Sequence, residues 1–362
     1  MSFTVVVAPD SFKGSLSARE VAEAIAVGWR SVRPEDQIVI VPQADGGEGS
    51  LDAVEGAVPG AIRRSAGLVT GPDGRPTPGE WVELPGNVAV VELAQPSGLP
   101  LMLELQPLRA TTRGLGEVIR AALDSGARSL VIGLGGSAST DGAAGALAAL
   151  GLGLFDEQGE PVPDGGAALR LVASVDASSL LTPPPGGVTL LTDVSAPLLG
   201  PTGAAAVFGP QKGATPEQVA QLDAALAHFA QLVGGDPLAD GAGAAGGAAF
   251  GFAALWDARL TSGADYLSEL TGLHAAIADA GVLITGEGRF DDQSLTGKVV
   301  GQLLDVAERS GVRAGVIAGQ VTASVDVWTA SLTDIAGSVD AALADTAQWL
   351  TEAGAKAARE LS

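Results

Sequence analysis

Three of the four lysines in this chain stand beside a glycine, in Phe12-Lys13-Gly14, Gln211-Lys212-Gly213 and Gly297-Lys298. Sixteen arginines carry the generic positive charge. A compact ammonium held where backbone approaches closely suits neutralisation of a phosphate or a carboxylate as a point charge. The acids show a matching bias towards loops after apolar runs: Asp10 in "APDSFKGSLSA", Asp45 and Glu48 in "ADGGEGS", Asp141 in "GGSASTDG", Asp193 in "LLTDV", and Glu287 and Asp291 in "TGEGRFDD". Open parallel sheets bind ligands beyond the carboxyl ends of their strands, so carboxylates gathered there are candidates for metal binding or proton transfer. Asp45 with Glu48, and Asp141, read equally well as helix caps. Asp193 does not, because Pro197 keeps a helix from starting at once.

These loops need elements to hold them. "TVVV" just before Asp10 reads as a buried strand, and "QIVIVPQAD" as a second. Between them, Ser17 with Glu20 makes a capping box, and Val21, Ile25, Trp29 and Val32 recur at helical steps that put one stripe on the sheet. Strand, helix, strand at this spacing is a parallel unit. From about residue 62 the texture changes to short extended pieces with Pro and Gly turns, including Asp73-Gly74, which is hairpin chemistry. A helix over roughly 111–125, a buried strand "SLVIGL", a glycine-rich loop with another helix, and the strand "VTLLTD" return the chain to α/β style. "AGVLITGEG" and "RAGVIAGQ" resemble the opening strands, and a polar-faced helix closes the chain from about Ala341. The expected fold is α/β in two domains. A Rossmann-like parallel-sheet domain is formed by both chain ends, 1–63 and 280–362, with a second α/β domain, 64–279, inserted. No internal repeat stands out.

Composition narrows the function. With 362 residues, two cores are expected, and aromatics at 4% beside abundant Ala and Gly point to close-packed small side chains. A net charge of −22 and a pI of about 4.3 argue against nucleic acid or an anionic membrane surface as partner. The absence of cysteine removes disulfide and thiol chemistry. No signal peptide and no apolar stretch of roughly 18–20 residues is found, so a soluble cytoplasmic protein is the reading.

One loop invites another interpretation. Gly133-x-Gly135-x-x-Ala138 follows a strand and precedes a helix, matching the relaxed dinucleotide fingerprint, with Asp156 about 20 residues on. "LFDEQGEPV" reads as a strand turning at Gly159, which makes Asp156 a turn residue instead. The loop also resembles the phosphate loop of kinases related to galactokinase and homoserine kinase, whose remaining motifs are absent, and "LTGKV" lacks the spaced glycine of a Walker loop.

Six motifs together, "APDSFKGSLSA", "PQADGGEGS", "GLGGSASTDGAAGALAALG", "AAVFGPQKGATPEQ", "AGAAGG" and "LITGEGRFDDQSLTGKV", resemble the bacterial glycerate kinase family of the first type, in order and over nearly the whole length. The resemblance implies phosphorylation of D-glycerate, usually to 2-phosphoglycerate, with ATP and Mg2+, by two α/β domains flanking a cleft. Asp10, Ser11, Lys13 and Ser15 would line that cleft. Phosphoryl transfer asks for positioning and charge neutralisation, which the loop residues can supply. Lys13, Asp193 and Asp291 are therefore assigned to catalysis. Ser11, Ser15, Gly135, Gly136, Ser137 and Lys298 are assigned to the nucleotide, and Asp10, Lys212, Glu287 and Arg289 to glycerate. Asp45, Glu48 and Asp141 are assigned to the metal. Two positions depart from the family pattern: Ala196 in "DVSAPL" replaces an asparagine, and Arg113 in "TTRGLGE" stands where the family tends to carry an aromatic. Assembly into a homo-oligomer is compatible with this reading. The rival readings are an NAD-dependent oxidoreductase of a small hydroxy acid using the 133–138 loop, and a non-catalytic two-lobed carboxylate-binding protein.

Overall fold

The computed structural model describes residues 3–12, 14–295 and 299–362, so Lys13 and Lys298 lie outside the described residues. The chain divides into two compact units. The terminal unit is Met1–Asp45 with Asp52–Pro59 and Ala264–Ser362; the inserted unit is Gly46–Leu51 with Gly60–Gly263. Among the described residues no helix is long and apolar enough to cross a membrane.

Five parallel strands form the sheet of the terminal unit, in the order Trp328–Ser331, Arg313–Ala318, Val282–Thr285, Thr4–Val7, Gln37–Ile40. Side chains alternate between its faces, as extended backbone requires. Val5, Val7, Val282 and Ile284 pack with Val21, Ile25 and Trp29 of the helix Ala18–Val32 on one side. Val6 and Leu283 pack with Leu273, Ile277, Val299 and Leu303 on the other. Because both faces are covered, the strands read as unbroken apolar runs. The capping box forms, with the Ser17 amide donating to Glu20 at 2.9 Å. Helices Ala18–Val32 and Thr346–Glu360 touch backbone to backbone, since a Cβ on Gly28 would strike the Thr351 carbonyl. The join with the inserted segment falls at Ala264 and not near 280. Ala264, Leu273 and Ile277 are needed to close the second face of the terminal sheet, a role that local periodicity does not reveal.

In chain order this sheet runs 2-1-3-4-5, so winding reverses between Thr4–Val7 and Val282–Thr285. The helix that follows the first of these lies on one face, and Val299–Ser310, which follows the second, lies on the other. Such a reversal opens a crevice at the carboxyl ends of the two strands.

Six strands make the sheet of the inserted unit, in the order Arg259–Thr261, Val188–Leu191, Ser129–Gly133, Val88–Glu92, Pro76–Leu84, Ile62–Thr70. The first four are parallel and the last two an antiparallel extension. The Asp73-Gly74 turn joins those two, with Gly74 at φ +85° and its amide donating to the Gly71 carbonyl. Strand order here follows chain order throughout, without reversal. Asp156 is a turn residue, its carboxylate accepting from the amides of Gln158 and Glu160 at 2.9 Å.

Candidate functional site

The crevice of the terminal unit is a cavity of about 520 Å³. Asp10 and Ser11 reach it from the loop after Thr4–Val7, Glu287 and Arg289 from the loop after Val282–Thr285, and Gln320 from the end of Arg313–Ala318. Backbone bonds lock these loops together: the Asp10 amide donates to Gly286 O at 2.8 Å, and the Gly319 amide to Glu287 O at 3.2 Å. Seven residues singled out by sequence line this one cavity: Asp10, Ser11, Ser15, Asp45, Glu287, Arg289 and Asp291.

Their local chemistry is that of a polar rim. The Ser11 amide donates to Asp10 Oδ1 at 2.6 Å, while Ser11 Oγ, buried, has no hydrogen-bond partner among the described residues. Ser15 Oγ lies 2.7 Å from Thr346 Oγ1. Arg289 and Asp291 stand 3.5 Å apart, and the Asp291 amide donates to Ser294 Oγ at 3.1 Å. The remaining wall was not foreseen. Leu332, Thr333, Val339, Ala342 and Leu343 come from two short helices, Leu332–Ala336 and Val339–Ala344. Nothing in their residue types signals chemistry; the one available hint was Val339 and Leu343, two larger aliphatics one helical turn apart in Val-Asp-Ala-Ala-Leu-Ala.

A second group gathers at the carboxyl edge of the sheet in the inserted unit, where the loop 134–141 follows Ser129–Gly133. Lys212, 2% exposed, donates through Nζ to Ser137 Oγ at 2.8 Å and to the Ser139 carbonyl. Burial pushes its ammonium down to about 7, with the charge of Asp141 opposing that shift. Asp141 is fully buried, and Oδ2 accepts from the Thr112 amide and hydroxyl at 2.9 Å and from the Gly145 amide at 3.3 Å. Burial drives its carboxyl up, against those hydrogen bonds. Ser97 Oγ, Ser139 Oγ, Thr140 Oγ1 and Asp141 Oδ1 are buried with no partner among the described residues.

Of the assigned metal ligands, Asp141 ties its loop to the helix Ala144–Ala149, the capping alternative, while Asp45 lines the terminal cavity and Glu48 is exposed on the inserted unit. Among the described residues no group of three or more His, Asp or Glu could hold a metal by itself. Gly135 is explained by packing: a Cβ there would strike Gly47 Cα, and its amide donates to Gly46 O at 3.1 Å. Gly136 takes φ +73°, with its carbonyl accepting from the Leu99 amide. Asp193 is exposed at the end of Val188–Leu191, and its Oδ1 accepts from the Gly263 amide at 3.1 Å. One of its partners is thus a distant backbone amide, which local sequence could not reveal. Glu92, also missed, is 5% exposed and accepts from the amides of Gly49 and Leu51, fixing the "GGEGS" turn to the sheet. Arg113 is taken up by Asp164, at 2.5 and 2.8 Å.

A model of the glycerate kinase family matches residues 5–362. The glycerate 2-kinase of Escherichia coli (strain K12) is 42% identical over 332 residues, covering 89% of this chain and 87% of that protein. The glycerate kinase of Bacillus subtilis (strain 168) is 42% identical over 327 residues, 88% of this chain and 85% of that one. The crystal structure of a protein described as glycerate kinase 2 from Salmonella typhimurium LT2 superimposes with a TM-score of 0.81 at 37% identity, covering 100% of this chain and 98% of that one.

Proposed function

The chain belongs to the glycerate kinase family, and from that premise we propose that it transfers the terminal phosphoryl group of ATP, as its Mg2+ complex, to the 2-hydroxyl of D-glycerate. What supports this reading most is that the motif residues converge. Three of the six motifs, far apart in the chain, bring Asp10, Ser11, Asp45, Glu287 and Asp291 into one cavity at a chain reversal.

In the reaction the hydroxyl oxygen forms a bond to the γ-phosphorus, the bond from that phosphorus to the β,γ-bridging oxygen breaks, and the hydroxyl proton passes to a carboxylate. ADP leaves with the electron pair. The protein's share is positioning and charge. Asp193 and Asp291 are the proposed proton acceptors. Lys13 and Lys298 are the proposed phosphate contacts, and Arg289 and Lys212 the proposed contacts of the glycerate carboxylate. The donor set fits Mg2+, which keeps several waters and uses one or two carboxylates together with substrate phosphates in place of an all-protein cage. Asp45, with a neighbouring cavity acid, would hold it, and the ion would supply charge neutralisation on the phosphates. Lys212, buried and pushed down to about 7, gives the inserted unit a cation whose charge depends on its surroundings near neutral pH.

The test is release of ADP coupled to D-glycerate, with phosphorus NMR of the product. ATP- and Mg2+-dependent formation of 2-phosphoglycerate is expected. A signal for 3-phosphoglycerate corrects the hydroxyl, and no turnover with D-glycerate overturns the assignment.

A further inference from the structure

The terminal cavity has two chemically different walls, and the kinase reading uses only one. The rim at the strand ends is hydroxyl and carboxylate. The facing residues of the short helices are aliphatic except for Thr333, and two of them are left open to solvent: Val339 is 42% and Leu343 64% exposed. They are four positions apart in Val339–Ala344 and so share a helix face. Leu332 and Ala342, both buried, continue that wall. Glycerate, a three-carbon acid with hydroxyls on its other two carbons, has no apolar face to set against it. A nucleotide does, because its base is flat and apolar on both faces while its phosphates are not. The volume of about 520 Å³ also lies in the range of roughly 300–1,000 Å³ that holds ligands larger than a three-carbon acid. Ser11 Oγ, buried on the rim with no partner among the described residues, is a donor awaiting an acceptor, as a phosphate oxygen would be.

We propose that the terminal unit is the nucleotide-holding half of the protein, with the nucleobase lying on the Leu332, Val339 and Leu343 wall and the phosphates directed to the Ser11 and Ser15 rim. This rests on the kinase reading and adds to it the place of the base. Gln320, on the same cavity, carries an amide that offers a donor and an acceptor side by side, the pattern that matches the amino and ring-nitrogen edge of adenine.

Leu343→Glu tests it, since the side chain is exposed and the fold does not depend on it. A carboxylate set against the base face and near the phosphates should raise the KM for MgATP, and the Kd for MgADP measured by calorimetry, at least about tenfold, the effect of about 1.4 kcal/mol. The KM for D-glycerate should stay within about twofold, and Leu343→Met should restore nucleotide binding. Val339→Glu should act in the same direction. If the wild-type protein binds MgADP and phosphorylates glycerate while Leu343→Glu and Val339→Glu keep wild-type nucleotide affinity, the base lies elsewhere and this inference is overturned with the kinase reading intact. A selective rise in the glycerate KM overturns it too, making the wall part of the acceptor site. A wild-type protein that neither binds MgADP nor turns over glycerate brings down the kinase reading itself.

Discussion

The two units present acids and cations at the carboxyl ends of parallel strands, yet they treat those charges in opposite ways. In the terminal unit, winding reverses at Thr4–Val7 and Val282–Thr285, and topology itself opens the crevice. Two of its charges stay hydrated: Arg289 is 65% and Asp291 29% exposed. The inserted sheet is laid down in chain order with no reversal, so nothing parts its loops. The loop 134–141 folds over the strand ends instead, and its polar groups go inside, where Lys212 and Asp141 hold Ser137, Ser139, Thr112 and Gly145. Backbone there is strained as well, since Ala143 and Ala245 sit at φ +63° and +53°, a conformation that costs an L-residue about 1–2 kcal/mol. Charge at an open crevice is left available to a ligand, whereas charge under a loop is already committed to the fold.

Lys212→Met should have the largest effect and should strike both. The variant keeps the volume but leaves the Ser139 carbonyl buried without its donor, at a cost of about 1–3 kcal/mol. A fall of about 10³ in kcat/KM is expected, the upper scale for losing a preorganised charge. A pH profile of stability separates the two roles. With the folded pKa lowered from 10.5 to about 7, the unfolded chain holds one more proton through that interval. The wild type should therefore gain stability over the variant as pH rises from 7 towards 10, by at most about 1.4 kcal/mol per unit. Below pH 7 both states are protonated and the difference should be flat. Denaturant melts at pH 6, 7.5 and 9 measure it, and a difference independent of pH across that range would mean that Lys212 is not buried as described.

Asp291→Asn and Asp193→Asn should cost about 10² or more in kcat, the range for a positioned proton acceptor, with melting temperatures near wild type because both carboxylates are partly or wholly exposed. Should Asp291→Asn lose several degrees of melting temperature while retaining turnover, its carboxylate belongs to the scaffold and the contrast between the units fails there; the same outcome for Asp193→Asn would place that carboxylate with the fold-serving charges of the inserted unit.

Arg113→Phe, which removes the guanidinium, should do least. The guanidinium pairs with Asp164, and the two side chains are 33% and 26% exposed. Solvent screening holds such a pair to about 1 kcal/mol or less, and the glycerate KM should move by less than about threefold. A tenfold change in that KM would give Arg113 a part in acceptor recognition.

Much of the fold was legible because its signals are local. The Ser17 and Glu20 capping box, the Val21, Ile25, Trp29 stripe, the Asp73-Gly74 hairpin and the Asp156 turn each depend on neighbours within a few residues, and each forms as read. The apolar runs identified the strands, and the residue types at their ends identified which loops could carry chemistry. What stayed hidden depends on distant contacts. The Glu92 carboxylate meets amides 41 and 43 positions away, and the aliphatic wall of the cavity comes from residues with no chemical signature of their own. By itself, then, the sequence determined that this is an α/β protein with charged, glycine-rich loops after its strands, because strand and loop propensities act over short range. Only the tertiary structure decided which loops are opened by a reversal of winding and which are sealed over a buried lysine. That choice rests on strand order and on the packing of segments from about seventy to nearly three hundred residues apart, which no local pattern encodes.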